Sequence, residues 1–221
     1  MKAISLWQPY VAGVLHGDGW CTQLTIGLRT KDRDFAQAFF VALREGFPNI
    51  RAPKTDERGY WLFRCGNKRG TFSQLKQFEP LTATEVAAWL RGLFDSEGNA
   101  QLWHMPHRSP NAYHRRIAFY STDQTTLSKA ANFLALLDIP HTMRATNNSA
   151  THRGTKTVHE LRVVRREGFE AFAKVGSSIE RKHITIKRIA ATYQDAASYC
   201  AFGGKKGAAT RLARRAAGGA Y

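Results

Sequence analysis

The sequence has few cysteines, few acidic side chains and no long apolar run. Its 221 residues include three cysteines, which are far apart and form no C-x-x-C pair. This pattern argues against a disulfide framework or a zinc ribbon and favours a reducing compartment. No apolar run approaches the roughly 18 residues that a membrane span needs. Residues 1–10 lack a basic segment followed by an apolar one, so we expect no secretion signal and an intracellular protein.

The scarcity of acidic residues leaves a large positive charge. Lys and Arg number 33 against 17 Asp and Glu, which gives a formal net charge of +16. Such an excess favours a polyanionic partner, of which nucleic acid is the commonest. Hydrophobic residues make up 43% of the chain, which is enough for a packed core and excludes a wholly disordered polybasic protein. A soluble basic protein without such a partner stays open on composition alone.

Two segments repeat the same helical pattern 79 residues apart. Apolar side chains at positions i, i+3, i+4, i+7 and i+8 predict one face of a helix in each copy. We expect Gly19 and Gly98 to end these helices in a left-handed conformation. Thr82 and Glu85 form a capping-box pattern at the start of the second helix. The repeated apolar positions are Trp7, Tyr10, Val11, Val14 and Leu15, then Val86, Trp89, Leu90, Leu93 and Phe94.

The repeat continues through strands and further helices. Asp32 and Asp123 each follow a Thr or Ser by two residues and precede a helical run, and the offset has grown from 79 to 91 residues. We therefore place an insertion in the second copy at His104–Arg115. Each copy reads helix, strands, helix, strands, helix, which predicts an α+β fold with mostly antiparallel sheets. The strand-like runs are Cys21–Arg29, Tyr60–Cys65, Asn99–His104, Tyr113–Ser121, His141–Thr146 and Val158–Arg165.

The duplication also predicts how the chain is divided. We expect an N-terminal half at residues 1–80, a C-terminal half at 81–200 and a basic extension at 201–221. The extension contains several Lys and Arg residues and no acid. It would add phosphate contacts and a salt-dependent gain in affinity, or be a solvated terminus.

An acidic residue closes each repeated helix. The pairs Gly13/Gly17 and Gly92/Ser96 place small residues one turn apart, which lets two helices approach closely. Such an approach would bring Asp18 and Glu97 together. Two carboxylates at the negative ends of helices repel each other, and a divalent cation such as Mg²⁺ would relieve that repulsion. On a basic protein this arrangement indicates metal-assisted phosphodiester hydrolysis.

The segments VAGVLHGDG at residues 11–19 and LRGLFDSEG at residues 90–98 resemble the two motifs of LAGLIDADG homing endonucleases. The resemblance covers roughly residues 9–195. It implies a pseudo-twofold, duplicated αββαββα fold with two antiparallel DNA-binding sheets. It also implies a monomer that binds a long, nearly asymmetric double-stranded DNA target and cuts both strands, leaving 3′ overhangs.

The resemblance carries site residues with it. By position, Asp18 and Glu97 are the metal-binding and catalytic acids, beside the backbone carbonyls of Gly17 and Ser96. The implied ion is Mg²⁺, with Mn²⁺ substituting and Ca²⁺ binding without cleavage. Family members also use basic or amide side chains near the scissile phosphates. The candidates for this role are Lys182 or Arg181 in the second half and Gln23 and Lys68 in the first.

Alternation along the strands indicates a basic face. Leu24, Ile26 and Leu28 fall on one side of the first strand and the intervening residues on the other. Gln, Thr and Arg side chains suit the reading of base edges, although a solvated sheet face gives the same pattern. The predicted DNA-binding residues are Gln23, Thr25, Arg29, Lys31, Arg64, Lys68, Gln101, Arg115, Arg116, Arg144 and Arg162.

The sequence also admits two other interpretations. A non-cleaving nucleic-acid binder on the same fold, such as an intron RNA maturase or a DNA-binding regulator, remains the alternative to a nuclease. The acidic pair favours the nuclease, because a pure binder does not need two carboxylates at the helix ends. The histidines His104, His107 and His114, with Asn111, have the wrong spacing for a zinc or HNH site. Asp95 corresponds to His16 in the first copy, so we expect it to be structural or to act indirectly on the acidic pair.

Overall fold

The computed structural model describes residues 6–66, 72–107, 112–146 and 157–193. Each half has seven elements in the order αββαββα, and the second half has one more helix at its end. The first half contains α1 (Trp7–Leu15), β1 (Trp20–Cys21), β2 (Thr25–Thr30), α2 (Arg33–Gly46), β3 (Lys54–Thr55), β4 (Trp61–Gly66) and α3 (Ser73–Lys76). The second contains α4 (Ala83–Glu97), β5 (Gly98–His104), β6 (Tyr113–Ser121), α5 (Gln124–Leu136), β7 (His141–Thr146), β8 (Val158–Val163) and α6 (Arg166–Val175), followed by helical residues 180–193, here called α7.

The strands form two antiparallel sheets with the same topology. Their orders are β1-β2-β4-β3 and β5-β6-β8-β7. The duplicated α+β fold predicted from the sequence is therefore confirmed. The β5–β6 hairpin pairs seven residues on each strand, whereas β1 and β2 pair only two. The insertion predicted at His104–Arg115 thus falls at the far end of this longer hairpin.

The first predicted strand is wrong in detail. Residues 21–29 form two strands, β1 and β2, separated by a turn. The hydroxyl of Thr22 accepts hydrogen bonds from the backbone N–H groups of Leu24 and Thr25, and this local bonding competes with strand extension. Leu24 is consequently 79% exposed, rather than part of the apolar face formed by Ile26 and Leu28.

The helices α1 and α4 cross at their glycines. A Cβ added to Gly13 would overlap the carbonyl of Trp89, and a Cβ added to Gly92 would overlap the carbonyl of Tyr10. Each glycine therefore lets the opposite backbone approach to contact distance, as the spacing of small residues predicted. Apolar side chains of α1 and α4 continue into two buried cores, one beneath each sheet.

The helix ends are built differently from the expectation. Gly98 is extended, with φ −89° and ψ 149°, and Gly19 is not among the described glycines with positive φ. Glycine is favoured at both positions for a steric reason. A Cβ on Gly98 would overlap Phe94, and one on Gly19 would lie 3.0 Å from the carbonyl oxygen of Val14. The capping box of Thr82 and Glu85 forms as predicted.

Within the described segments, none of the helices combines the length and apolar character that a membrane span requires. The proposed extension 201–221 lies outside the described residues.

Candidate active site and nucleic-acid interface

Asp18 and Glu97 lie where the crossed helices lead into their sheets. Glu97 is the last residue of α4, and Gly98 opens β5 without an intervening loop. Asp18 lies in the turn between α1 and β1. A Cβ on Gly17 would overlap the side chain of Ser96 and lie 3.0 Å from Cγ of Glu97. Gly17 therefore packs directly on the last turn of α4, and the two acidic residues flank this contact.

The environment of the pair disfavours two negative charges. Burial raises the pKa of Glu97 to about 7, and the charge of Asp18 adds to this effect. Burial also raises the pKa of Asp18. Both acids feel the opposing charge of Lys182, which lowers their pKa values. The three groups therefore lie close enough for their charges to influence one another.

Lys182 reaches this site from α7. Its Nζ donates to the carbonyl oxygens of Phe94 at 3.0 Å and Asp95 at 2.8 Å, and its side chain is buried. The ammonium thus binds the last turn of α4, where the helix dipole is negative. Burial lowers the pKa of Lys182 to about 8, against the opposing charge of Asp95. The structure therefore places this candidate residue beside the acidic pair, in a position that also caps a helix.

Asp95 fixes the segment that presents Lys182. Its carboxylate accepts hydrogen bonds from the Tyr10 hydroxyl at 2.9 Å, the Ser177 hydroxyl at 2.5 Å and the Ser178 backbone N–H at 3.0 Å. These contacts join α1, α4 and the residues just before α7. Asp95 is 2% exposed, and its contacts agree with the structural role expected from its alignment with His16.

Acidic residues of α2 hold the first turn of α7. Asp34 accepts the backbone N–H of Glu180 at 2.6 Å, and Asp32 binds the guanidinium of Arg181 at 3.0 Å. Asp32 makes no side-chain cap to its own helix, whereas Asp123 caps α5 by accepting from Thr125. The repeated Asp therefore serves two different purposes, and Arg181 is committed to an ion pair at the helix start.

The outer face of the first sheet is the side opposite its buried core. Ile26, Leu28 and Phe63 point into the core, so the alternating positions of β2 and β4 point outward. The outward positions include Thr25, Arg29 and Arg64.

Other predicted residues of this half have mixed placements. The guanidinium of Arg29 pairs with Asp56 at 2.7 Å. Lys31 follows β2, with its ammonium 5.3 Å from the ring centroid of Tyr60. Gln23 is exposed in the turn before β2, and Lys68 lies outside the described residues.

The outer face of the second sheet carries most of the remaining predicted residues. Ile117, Phe119, Leu161 and Val163 are fully buried, so the alternate positions of the strands face outward. We call this surface the second outer face. The polar residues at its outward positions include Gln101, Arg116, Tyr120, Arg144, Glu160 and Arg162.

Arg115 is a wrong prediction for this surface. It has the same strand parity as Ile117 and points to the core side. Its Nε donates to Thr192 of α7 at 2.7 Å, and its guanidinium lies 4.3 Å from the ring centroid of Tyr193. The error arose because Arg115 and Arg116 are adjacent, and neighbouring residues of a strand face opposite sides.

Glu160 is the residue on this surface that sequence reasoning missed. It is fully buried between two arginines, pairing with Arg116 at 2.8 Å and Arg144 at 2.6 Å. The alternation of Glu160 with the core residue Leu161 places it outward, and this was the only available signal. Nothing in the order of residues along β8 indicates which arginines lie beside it.

The histidine cluster of the sequence does not assemble. The rings of His104 and Tyr113 lie 5.0 Å apart, and His114 stacks on Trp103 from the outer side of the hairpin. His104 and His114 therefore point to opposite faces of the hairpin. Asn111 lies outside the described residues. Across the described segments, no group of three or more His, Cys, Asp or Glu side chains is placed to hold a metal ion.

Comparisons with known proteins agree with this architecture. Residues 84–175 match the model of a LAGLIDADG-like domain. No curated protein sequence matches the chain. The structure of I-DmoI in complex with DNA and Ca is 12% identical, with a TM-score of 0.60, and the match covers 85% of this chain and 100% of that chain. A structure of mesophilic variants of the homing endonuclease I-DmoI is 14% identical, with a TM-score of 0.55 and coverage of 77% and 94%.

A second group of structures has a similar fold. Full-length DUF199/WhiA from Thermatoga maritima is 12% identical with a TM-score of 0.58, and the match covers 93% of this chain and 69% of that chain. At these identities the similarity concerns the fold. Residues 84–175 are thus similar to a LAGLIDADG-like domain, and the chain shares the duplicated fold of the I-DmoI structures.

Proposed function

We propose that this protein is a site-specific endonuclease that hydrolyses both strands of double-stranded DNA with a divalent metal ion and leaves 3′ overhangs. The observation that carries the proposal is that Asp18 and Glu97 flank the contact between Gly17 and Ser96, where the charge of Asp18 helps to raise the pKa of Glu97. This contact lies where two sheets with arginine-bearing outer faces begin. Acids at the junction of two basic surfaces suit the cutting of a polyanion bound across both.

The residues of the junction fit a hard divalent cation. Asp18 and Glu97 supply carboxylate oxygens, and the backbone carbonyls of Gly17 and Ser96 are adjacent in the chain. Gly17 brings no side chain to this contact, and a Cβ there would overlap Ser96. Mg²⁺ binds through one or two carboxylates and substrate phosphates while it keeps several waters. Mn²⁺ would substitute, and Ca²⁺ would bind without supporting cleavage.

When bound, the metal would supply Lewis-acid stabilisation of phosphate charge and a more acidic water. Asp18 and Glu97 would hold it, and their ionised forms are required for this. Lys182 lowers the pKa of both acids, so its charge helps to keep them ionised before DNA arrives. We propose Lys182 as a further catalytic group, acting on the phosphate charge. Gln23 remains a candidate for orienting water, at the exposed turn before β2.

The two outer faces would contact successive parts of the DNA. The first has Thr25, Arg29 and Arg64, and the second has more arginines. Because these sets differ, the target would be long and nearly asymmetric. Both acidic motifs lie in one chain, so a monomer would suffice. We propose an intracellular, DNA-associated protein, with the halves at 1–80 and 81–200 each reading one side of the target and the extension 201–221 adding phosphate contacts.

Cleavage of a randomised or host-derived duplex library tests the proposal. The purified protein is incubated with Mg²⁺ and separately with Ca²⁺, and all cut ends are sequenced. Discrete Mg²⁺-dependent cuts with 3′ overhangs would support the endonuclease. Asp18→Asn and Glu97→Gln should lose cleavage and still bind DNA in Ca²⁺. Glu170→Gln is a matched control, because Glu170 pairs with Arg166 on α6, away from the acidic pair. Cleavage by Asp18→Asn at the wild-type rate would refute the metal assignment.

A non-cleaving nucleic-acid binder is the second candidate. It is favoured by the position of Lys182, whose buried ammonium partly compensates the acidic pair without a metal. Tight DNA binding in Ca²⁺ with no cutting in Mg²⁺ would favour a DNA-binding regulator. Binding of intron RNA in place of duplex DNA would favour a maturase.

A further inference from the structure

We propose that Glu160 is a positioning residue that holds Arg116 and Arg144 in the orientation needed to read guanine bases. This inference rests on the proposed binding of double-stranded DNA. It adds a specificity determinant to the second outer face and does not involve the acidic pair of the active site.

The side chains of Glu160, Arg116 and Arg144 are in direct contact. Oε1 of Glu160 accepts from Nε and Nη2 of Arg116 at 3.1 and 2.8 Å. Oε2 accepts from Nε of Arg144 at 2.7 Å and pairs with its Nη2 at 2.6 Å. The Tyr120 hydroxyl also donates to Oε1 at 3.3 Å. Both carboxylate oxygens are therefore engaged, and each arginine is held through the side of its guanidinium.

The pairing with Glu160 leaves one edge of each guanidinium available. A guanidinium has five N–H donors in a fixed planar fork. Bonding through Nε and Nη2 uses its side edge and leaves the end edge, formed by the two terminal nitrogens. That end edge can bond O6 and N7 of guanine together in the major groove. The side chain of Arg144 remains 61% exposed and that of Arg116 26% exposed while paired, so both keep surface that solvent can reach.

The carboxylate of Glu160 has an electrostatic consequence for this surface. A lone acid among phosphate-binding arginines would weaken attraction to DNA. Glu160 is 0% exposed, and burial acts to raise its pKa. The hydrogen bonds from Arg116 and Arg144 outweigh this and hold the pKa below its ordinary value. Glu160 therefore stays ionised and orients the two arginines before DNA binds. Arginines that are already oriented lose less side-chain freedom on binding a base than mobile ones would.

Holding the arginines in place has a different effect from simple attraction to DNA. Freed arginines would each contact any phosphate within reach, and such contacts carry no sequence information. Arginines fixed on β6 and β7, with Glu160 on the strand between them, present two guanidinium edges at a set separation. The cluster thus converts two non-specific charges into a spaced pair of base-reading groups.

Binding of two duplexes tests the inference. The probes are a duplex selected from a randomised library in Ca²⁺ and a scrambled duplex of equal length and composition. Dissociation constants for both are measured over a series of KCl concentrations. The variants are Glu160→Gln and Arg144→Gln, with Glu170→Gln as the matched control. Glu170 also pairs with an arginine, Arg166, but on the helix that covers the inner side of the sheet.

We expect Glu160→Gln to bind the scrambled duplex about threefold more tightly and the selected duplex more weakly, so that the selectivity ratio falls by about tenfold. Its plot of log affinity against log salt should steepen by about 1 for the scrambled duplex. Arg144→Gln should also lower the ratio. Glu170→Gln should leave it unchanged.

Three outcomes would overturn the inference. A Glu160→Gln ratio within about twofold of wild type would show that the carboxylate does not set selectivity, while the proposed DNA binding would stand. If Glu160→Gln fails to fold by circular dichroism, Arg144→Gln decides, and equal weakening on both duplexes would refute base reading. If wild type selects no duplex from the library, the proposed function and this inference fall together.

Discussion

The ammonium of Lys182 lies 2.8 Å from the carbonyl oxygen of Asp95, so a cation from α7 closes the last turn of α4. The side chain of the same Asp95 anchors the segment just before α7 through Ser177 and Ser178. Each helix thus supplies the group that the other needs. Because Glu97 lies two residues beyond Asp95, these contacts also fix the position of Glu97.

Removal of the Lys182 charge should shift the pH dependence of cleavage. In Lys182→Met the pKa values of Asp18 and Glu97 rise, because the charge that lowers them is gone. The acid limb of the pH–rate profile should therefore move to higher pH, and the free energy of unfolding should fall by about 1–2 kcal/mol. Lys187→Met on the exposed side of α7 is the control. An unshifted acid limb in Lys182→Met would show that this charge does not act on the pair.

The raised pKa of Glu97 predicts a pH-dependent stability in metal-free protein. The folded state binds the Glu97 proton up to about pH 7, whereas the unfolded chain releases it near pH 4.5. The folded state therefore holds more protons in this window, and stability falls as pH rises through it. The loss is at most about 3 kcal/mol. Urea unfolding of wild type and Glu97→Gln in EDTA at pH 5 and pH 7.5 measures it.

Glu97→Gln should lose less stability than wild type over the same interval, since a glutamine has no proton to release. Equal losses in the two proteins would mean that Glu97 has no raised pKa. Addition of Mg²⁺ at pH 7.5 should restore stability to wild type and have a smaller effect on the variant, because the ion binds the folded state.

The helix crossing should not tolerate a methyl group. Gly92→Ala places a Cβ against the carbonyl of Tyr10, and backbone at this distance cannot move aside without separating the helices. We expect a loss of about 3 kcal/mol in the free energy of unfolding, together with loss of cleavage. Gly66→Ala is the matched control, since its Cβ would meet nothing within 4 Å. Denaturant titration compares them, and equal stabilities would contradict the close approach.

The buried Asp95 network should be more costly to break at its centre than at its edge. Tyr10→Phe removes one hydrogen bond and should cost about 1 kcal/mol. Asp95→Asn leaves Ser177 and the Ser178 backbone N–H with a poorer acceptor and should cost about 3 kcal/mol. A double-mutant cycle measured by urea unfolding should show a coupling between the two. Strict additivity would mean that the hydroxyl and carboxylate do not interact.

The sequence predicted the duplicated fold and the meeting of the two motif helices, because these depend on local periodicity and on small residues at fixed spacing. The strand face of Arg116 was predictable for the same reason. The contacts of Arg115 with α7 were not, since they join residues 77 positions apart. Glu160 was not predicted because its partners, Arg116 and Arg144, lie on two other strands. The register of the strands decides which residues become neighbours.

The helix ends show another limit of the sequence. Gly98 was correctly placed as the C-cap of α4, but Gly19 lies three residues beyond His16, the C-cap of α1. The left-handed conformation expected of both glycines was wrong. A glycine can be required by a positive φ or by a neighbour that occupies the space of its side chain. Only the structure distinguishes these cases, and here the neighbours are Val14 and Phe94.

The junction at Gly98 has a consequence for redesign of the protein. Since α4 passes into β5 without a loop, Glu97 and the outward residue Gln101 belong to one continuous stretch of regular backbone. The first half has a turn at residues 16–19 between its helix and its sheet. Exchange of the first sheet's outer residues can therefore be absorbed by that turn. A change that moves the second sheet would also displace Glu97, so outer residues are best altered first on β2 and β4.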